Sequence, residues 1–223
     1  MVRVPEPELM MEEGQARAYA EADFAEPHDR VAGLCREFLA GRDVRGHILD
    51  LGCGPGDVSI RFARAFPHCA VHGVDGSPAM LAEGERLLGR APDVAGRVTL
   101  LKGLLPDADL PRRSYELVVS NSLLHHLHDP QVLWQSVRRF GAPGAPVFVA
   151  DLMRPASAAE AERLVECYSG TEPEVLKRDF YNSLLAAFEP GEIEAQLAAA
   201  GLFGLKVRAI SDRHLAIAGF LAG

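Results

Sequence analysis

The sequence predicts an α/β domain built on a doubly wound, mostly parallel sheet, and three observations predict it. Short apolar runs alternate with segments of helical periodicity between residues 47 and 151. The first run, HILDL, enters a glycine-rich turn, GCGPG, and leaves it as a helix-patterned segment. Polar residues stand at or near the ends of the runs: Asp50, Asp75, Asn121 and Asp151. Sheets of this kind take ligands beyond the carboxyl ends of their strands, where the strand order reverses. Those residues therefore mark where a site should lie.

The elements follow in chain order. Residues 1–14 read as a loose arm. Residues 15–40 are helical in pattern, with Val31, Leu34, Cys35, Phe38 and Leu39 on one face and a break expected at Glu26-Pro27-His28. HILDL (47–51) is a strand, and DVSIRFARAF (57–66) carries Val58, Phe62 and Ala65 at helical spacing. AVHGVD (70–75) is the second strand; Ser77-Pro78 then supplies an N-cap and a proline at the first helical position. RVTLLKG (97–103) and YELVVSN (115–121) are the third and fourth strands. Asp129-Pro130 starts a helix to about Phe140, and PVFVAD (146–151) is the fifth strand. Ser157-Ala-Ala-Glu160 and Thr171-Glu-Pro-Glu174 read as capping-box helix starts. They frame a helical insertion over residues 152–190 within a single domain of residues 1–223. A helix over residues 191–200 ends at Gly201. LKVRAIS and RHLAIAGFL close the chain as two strands joined at Ser211-Asp212.

Composition narrows the function. Net charge is −8, from 23 Lys+Arg against 31 Asp+Glu, which disfavours a nucleic-acid backbone as partner. Four cysteines without a CxxC pair predict a reduced, cytoplasmic setting and no structural zinc. No leader-like apolar region and no run near the ~20 apolar residues of a membrane span is seen, so no membrane partner is expected.

Gly52, Gly54 and Gly56 sit where a strand becomes a helix, which lets a ligand approach the backbone. A P-loop is excluded, because no Gly-Lys-Ser/Thr follows. A dinucleotide GxGxxG would need glycine at position 57, which is Asp57. Asp50 and Asp57 flank the turn; two carboxylates repel a pyrophosphate and attract an ammonium. The expected ligand is a nucleoside with a cationic or zwitterionic tail, its ribose hydroxyls accepted by Asp75.

DLGCGPG, then GVDGSPAML, SNSLLHHLHDP and EIEAQLAAAGL with the closing strand pair, resemble the class I S-adenosylmethionine-dependent methyltransferases of the ubiquinone/small-molecule type over residues 45–221. The resemblance implies a Rossmann-like seven-stranded sheet with its last strand antiparallel, and S-adenosyl-L-methionine as cofactor. It places the Gly52-Cys53-Gly54 turn and Gly56 against the methionine moiety, with Asp50 toward the ammonium. Asp75 would hold the ribose, with Gly76, Ser77 and Met80 near the adenosine. Many members carry an acid beside the adenine after the third strand; here Leu104 and Leu105 stand there, so apolar packing and backbone groups are expected instead.

The acceptor side is less defined. Asn121 ends the fourth strand, near the expected donor methyl, and can serve donor binding, catalysis or strand-end hydrogen bonding. His125 and His126 are candidates for a catalytic base or for pocket walls. His125 and His128 have a spacing compatible with metal, but no acid or cysteine completes a convincing set and the family pattern needs no metal, so none is expected. Tyr19 in AYAEADF (18–24) and Tyr181 and Asn182 in RDFYNS (178–183) are expected to bind a small polar acceptor under a lid. Arg154 and Arg213 could hold a carboxylate, with surface solvation as the ordinary alternative. A nicotinamide-dependent oxidoreductase and a non-catalytic donor-binding protein are the competing readings. The first is opposed by Asp50 and the missing third glycine.

Overall fold

A computed structural model describes residues 1–22 and 24–223. Strand β1 (Gly46–Leu51) pairs in parallel with β2 (Cys69–Asp75) on one side and with β4 (Leu117–Asn121) on the other. Strand β3 (Val98–Lys102) extends the sheet beyond β2, and β5 (Pro146–Leu152) extends it beyond β4, both in parallel. Then β7 (His214–Phe220) runs antiparallel to β5, and β6 (Leu205–Ala209) antiparallel to β7. The order β3-β2-β1-β4-β5-β7-β6 reverses between β1 and β4. That cleft is where a doubly wound sheet receives its ligand.

The central strands are nearly continuous apolar runs because both faces are covered. Successive residues serve opposite layers, as a period of two requires. Leu49, Val118, Val149 and Ile217 pack with Trp134 and Leu133 of α5 (Gln131–Phe140) and with Ile193 of α8 (Pro190–Ala199). Ile48, Val119, Phe148 and Ala216 pack with Val31 and Cys35 of α2 (Ala25–Leu39) and with Phe62 of α3 (Asp57–Ala65). Helix α4 (Pro78–Gly89) starts as expected, with Ser77 Oγ accepting from Met80 N at 3.2 Å.

Several boundaries shift. The N-terminal break falls before α2, not at Pro27: α1 (Glu13–Glu21) ends first, and Pro27 lies in the opening turn of α2, where a missing N–H costs nothing. Helix α6 (Ala158–Ser169) is capped by Ser157, whose Oγ accepts from Glu160 N. Thr171 caps nothing; α7 (Glu174–Ala186) begins after Pro173 without a side-chain cap. Helices α6 and α7 share a small core of their own with Leu152, formed by Ala161, Leu164, Leu184 and Ala187.

The arm expected to be loose is tied down. Val4 N donates to Leu185 O, and Arg3 Nη2 donates to the carbonyls of His125 and Leu127 at 2.8 and 2.9 Å. Arg3 also lies over the Phe188 ring. Farther along, Glu8 accepts from His128 N, and Ser77 Oγ donates to Met10 O. Polar anchors at both ends draw the arm across the carboxyl edge of the sheet, a placement that no local periodicity encodes.

Candidate active site

A cavity of about 840 Å³ opens at the carboxyl edge, over the β1/β4 cleft. Its volume is at the upper end of the ~300–1,000 Å³ typical of small-molecule sites. One half is built by the turn after β1. Gly52, Gly54 and Gly56 have φ of +68°, +54° and +75°, a left-handed conformation that costs other residues roughly 1–2 kcal/mol each. This explains the three glycines. The turn is fastened to β2: Gly52 N and Cys53 N donate to Val74 O, and Gly54 N donates to Asp75 Oδ2 at 2.8 Å. A Cβ on Gly73 would sit 2.8 Å from Cys53 Cβ and from Ser59 Oγ, so this strand glycine lets the turn and α3 close onto β2. Neither Gly73 nor Ser59 lines the cavity; they hold the turn from behind, and a lone glycine inside a strand pattern is a known signal of such close approach.

Asp50, Cys53, Asp75, Gly76, Met80 and Leu104 all line this half, with Gly52, Gly54 and Ser77. Gly56 stands behind the turn as the residue preceding α3. Asp50 is buried and accepts from Ser59 Oγ at 2.6 Å. Burial pushes its carboxyl up to about 7, against the Ser59 hydrogen bond. Asp75 is also raised by burial, with the backbone N–H groups of Ser77, Gly54 and Gly76 opposing the shift. Asp57 also lines the cavity, where its carboxylate is shared with neighbours. Its carboxylate is taken by Arg61 Nε at 2.9 Å and by His28 Nδ1 at 2.6 Å. Burial of the Cys53 thiol pushes its pKa well up.

A nucleoside with an ammonium tail fits this half. Asp75 presents a carboxylate at the strand end, and Asp50 is a buried acid whose proton a cation would displace. The backbone at Gly54 is bare: a Cβ there would meet nothing within 4 Å.

The other half lies under α1, α2 and α7. Asn121 lines the cavity, its Nδ2 donating to Ser122 Oγ at 3.1 Å. Ser122 has φ +54°, a strained conformation that turns the chain across the cleft. Tyr19 lines the cavity and packs on Phe24, ring centroids 4.9 Å apart; burial raises its phenol to about 12. Asp23, in the same segment, lies outside the described residues. His125 and His126 both line the cavity. His125 Nδ1 hydrogen-bonds Asp151 Oδ1 at 2.5 Å, and Asp151 is buried, also accepting from Leu124 N and Leu152 N. Burial alone would lower the His125 pKa, but the Asp151 carboxylate and Glu6 outweigh it and raise it. Burial and His125 push His126 the other way, to about 3.

Tyr181 and Asn182 are not among the cavity-lining residues. Leu176, Asp179, Phe180 and Ser183 of α7 are, and their spacing of i, i+3, i+4 and i+7 is one helical face. Tyr181 packs against the α6/α7 core and Asn182 is exposed. Arg154 is not solvated: it is buried and pairs with Glu189 and Glu192 at 3.0 and 2.9 Å. Arg213 lines the cavity and covers the Tyr168 ring. Glu6, missed entirely, sits beside both histidines. An acid and a histidine pair 119 residues apart leave no sequence signal.

Residues 49–147 match the family model described as a methyltransferase domain. The chain is 30% identical over 108 residues to an uncharacterized methyltransferase of Mycobacterium tuberculosis, covering 48% of this chain and 51% of that one. It is 32% identical over 141 residues to the ubiquinone/menaquinone biosynthesis C-methyltransferase of Syntrophotalea carbinolica, covering 63% and 56%. The matches thus span about half the length of these relatives. A SAM-dependent methyltransferase from Aquifex aeolicus shares the fold, with a TM-score of 0.68 at 13% identity over 96% of this chain and 100% of that one. Among the described residues no helix is long and apolar enough to cross a membrane.

Proposed function

We propose, for a chain whose residues 49–147 match a methyltransferase domain, that the protein transfers a methyl group from S-adenosyl-L-methionine to a small polar metabolite. The observation that carries this reading is the clamp of Gly54 N on Asp75 beside buried Asp50. It sets a bare glycine turn between a ribose acceptor and an ammonium acceptor. When bound, the donor supplies a sulfonium methyl that an acceptor lone pair displaces in line, the electrons of the broken carbon–sulfur bond staying on sulfur.

The chain's own part is placement. Asp50 binds the ammonium, Asp75 the ribose hydroxyls, and Gly76, Met80 and Leu104 pack the adenosine. Asn121 stands at the β4 end between the two halves and orients groups near the sulfur. Tyr19, Phe24 and Phe180 exclude water on the acceptor side. His125 and His126 present nitrogen groups to the acceptor, and Asp151 fixes the orientation of His125. The α6/α7 segment acts as the acceptor-side lid through the face of α7 that meets the cavity. The cytoplasm is the proposed location, supported by four unpaired cysteines.

Calorimetry tests the donor. S-adenosylmethionine and its demethylated product should bind and NAD should not; tight NAD binding without donor binding overturns the reading. A screen of amines, imidazoles, thiols and hydroxyl compounds for donor-dependent gain of one methyl then identifies the acceptor. Donor binding with no methylated product across the screen would favour a non-catalytic binder.

A further inference from the structure

We propose that Glu6, His125 and His126 form a binding site for one divalent transition-metal cation, zinc being the ion that fits best. The site stands on its own observations and does not depend on the methyl-transfer reading. One ligand atom from each residue can be chosen so that all three lie within 4.8 Å of one another. Glu6 Oε1 is 3.3 Å from His126 Nδ1 and 3.6 Å from His125 Nε2. Two donors on a tetrahedral zinc, each about 2.0–2.1 Å from it, are about 3.3 Å apart. The observed spacings suit that geometry without rearrangement of the backbone.

His126 Nδ1 is a buried nitrogen with no hydrogen-bond partner among the described residues. It stands next to the Glu6 carboxylate without hydrogen-bonding to it. In the tautomer that leaves Nδ1 unprotonated, its lone pair faces a carboxylate, which is repulsive unless a positive centre lies between them.

Each ligand also has an outer partner that fixes it, the arrangement resident metals require. Asp151 Oδ1 holds His125 Nδ1 at 2.5 Å, leaving Nε2 for the ion. Ser183 Oγ donates to Glu6 Oε1 at 2.9 Å. The Pro7 carbonyl accepts a hydrogen bond from the His126 ring. Two imidazoles and one carboxylate suit zinc and its first-row neighbours; magnesium and calcium prefer all-oxygen sets. Three protein ligands leave a fourth position open. Because both histidines line the cavity, an acceptor hydroxyl or thiol can reach the ion as that ligand. The imidazoles then act as ligands and not as free bases.

The full chain, stripped with a chelator, is titrated with zinc against a chromophoric competitor. One equivalent should bind. Glu6→Ala and His126→Ala should each weaken binding at least tenfold, and Asp151→Asn by about 10–100-fold, the usual loss for an outer partner. Zinc should raise the melting temperature of the wild type and not that of the Glu6→Ala/His126→Ala double variant. The cobalt-loaded wild type should show the intense visible bands of tetrahedral cobalt. Glu6→Gln keeps the Ser183 hydrogen bond within reach while weakening ligation, so its zinc-free melt separates loss of metal from loss of fold. Absence of stoichiometric zinc binding by the wild type, or unchanged binding by the double variant, overturns the proposal and leaves a shared proton as the link between Glu6 and His126.

Discussion

The two halves of the cavity are assembled in different ways. The half that meets the glycine turn comes almost entirely from residues 50–80, and its defining contacts run between the turn after β1 and the end of β2, as in Gly54 N to Asp75 Oδ2. The opposite half joins Tyr19 of α1, Asn121 of β4, His125, and Phe180 of α7, with Glu6 of the arm beside the histidines. A strand–turn–helix unit can be altered little without losing its geometry, because three of its residues occupy left-handed φ. The opposite half is set by packing among distant elements, so its residues can change while the sheet stays the same.

The sharpest way to break this comparison is at Asp75. Its two oxygens accept from Gly54 N and Ser77 N. Removing a charged acceptor costs about 1.5–3 kcal/mol, so Asp75→Ala should weaken donor binding by roughly 10- to 100-fold by calorimetry. The turn also loses two hydrogen bonds, and the melting temperature should fall with it. Unchanged donor affinity would show that the ribose is held elsewhere.

A second test uses pH. Burial raises Asp50 from 3.8 to about 7, so the folded chain holds a proton there that the unfolded chain releases. The group therefore lowers fold stability as pH rises from about 4 to 7. Donor binding should have the opposite sign, since an ammonium favours the ionised acid. Between pH 6 and pH 8 the ionised fraction of a group titrating near 7 rises about tenfold, and donor affinity should rise with it. Asp50→Asn should bind more weakly and flatten the profile. An unchanged slope in that variant would assign the pH dependence to another group.

The same contrast explains what the sequence revealed. The strand–helix alternation, the glycine turn and the antiparallel closing pair were legible because each rests on a local rule: period, cap or positive φ. A charge count along the chain does not show that the Asp57 carboxylate pairs with Arg61 and hydrogen-bonds to His28. The arm was read as loose because its anchors, Arg3, Glu8 and Met10, bind partners more than 60 residues away. Glu6 was invisible for the same reason. For Tyr181 and Asn182 the pattern of aromatic and polar residues pointed to a segment of which Phe180 and Ser183, on another face of the helix, line the cavity.

The two faces of α7 give the smallest and most discriminating comparison. Phe180 lines the cavity, whereas Asn182, two positions on, is exposed. Residues two apart on a helix point about 200° from each other. If α7 serves as the acceptor-side lid, Phe180→Ala should raise acceptor KM about fivefold, roughly 1 kcal/mol for part of a half-buried ring. Donor Kd should stay within about threefold, because the glycine turn is held by contacts to β2 and not by Phe180 of α7. Asn182→Ala should alter neither constant and should shift stability by less than about 0.5 kcal/mol, as surface changes do. Tyr181→Phe should leave acceptor KM intact, since its ring packs on the α6/α7 core. If Asn182→Ala or Tyr181→Phe moves KM while Phe180→Ala does not, the acceptor approaches from the outer face of α7 and the cavity serves the donor alone.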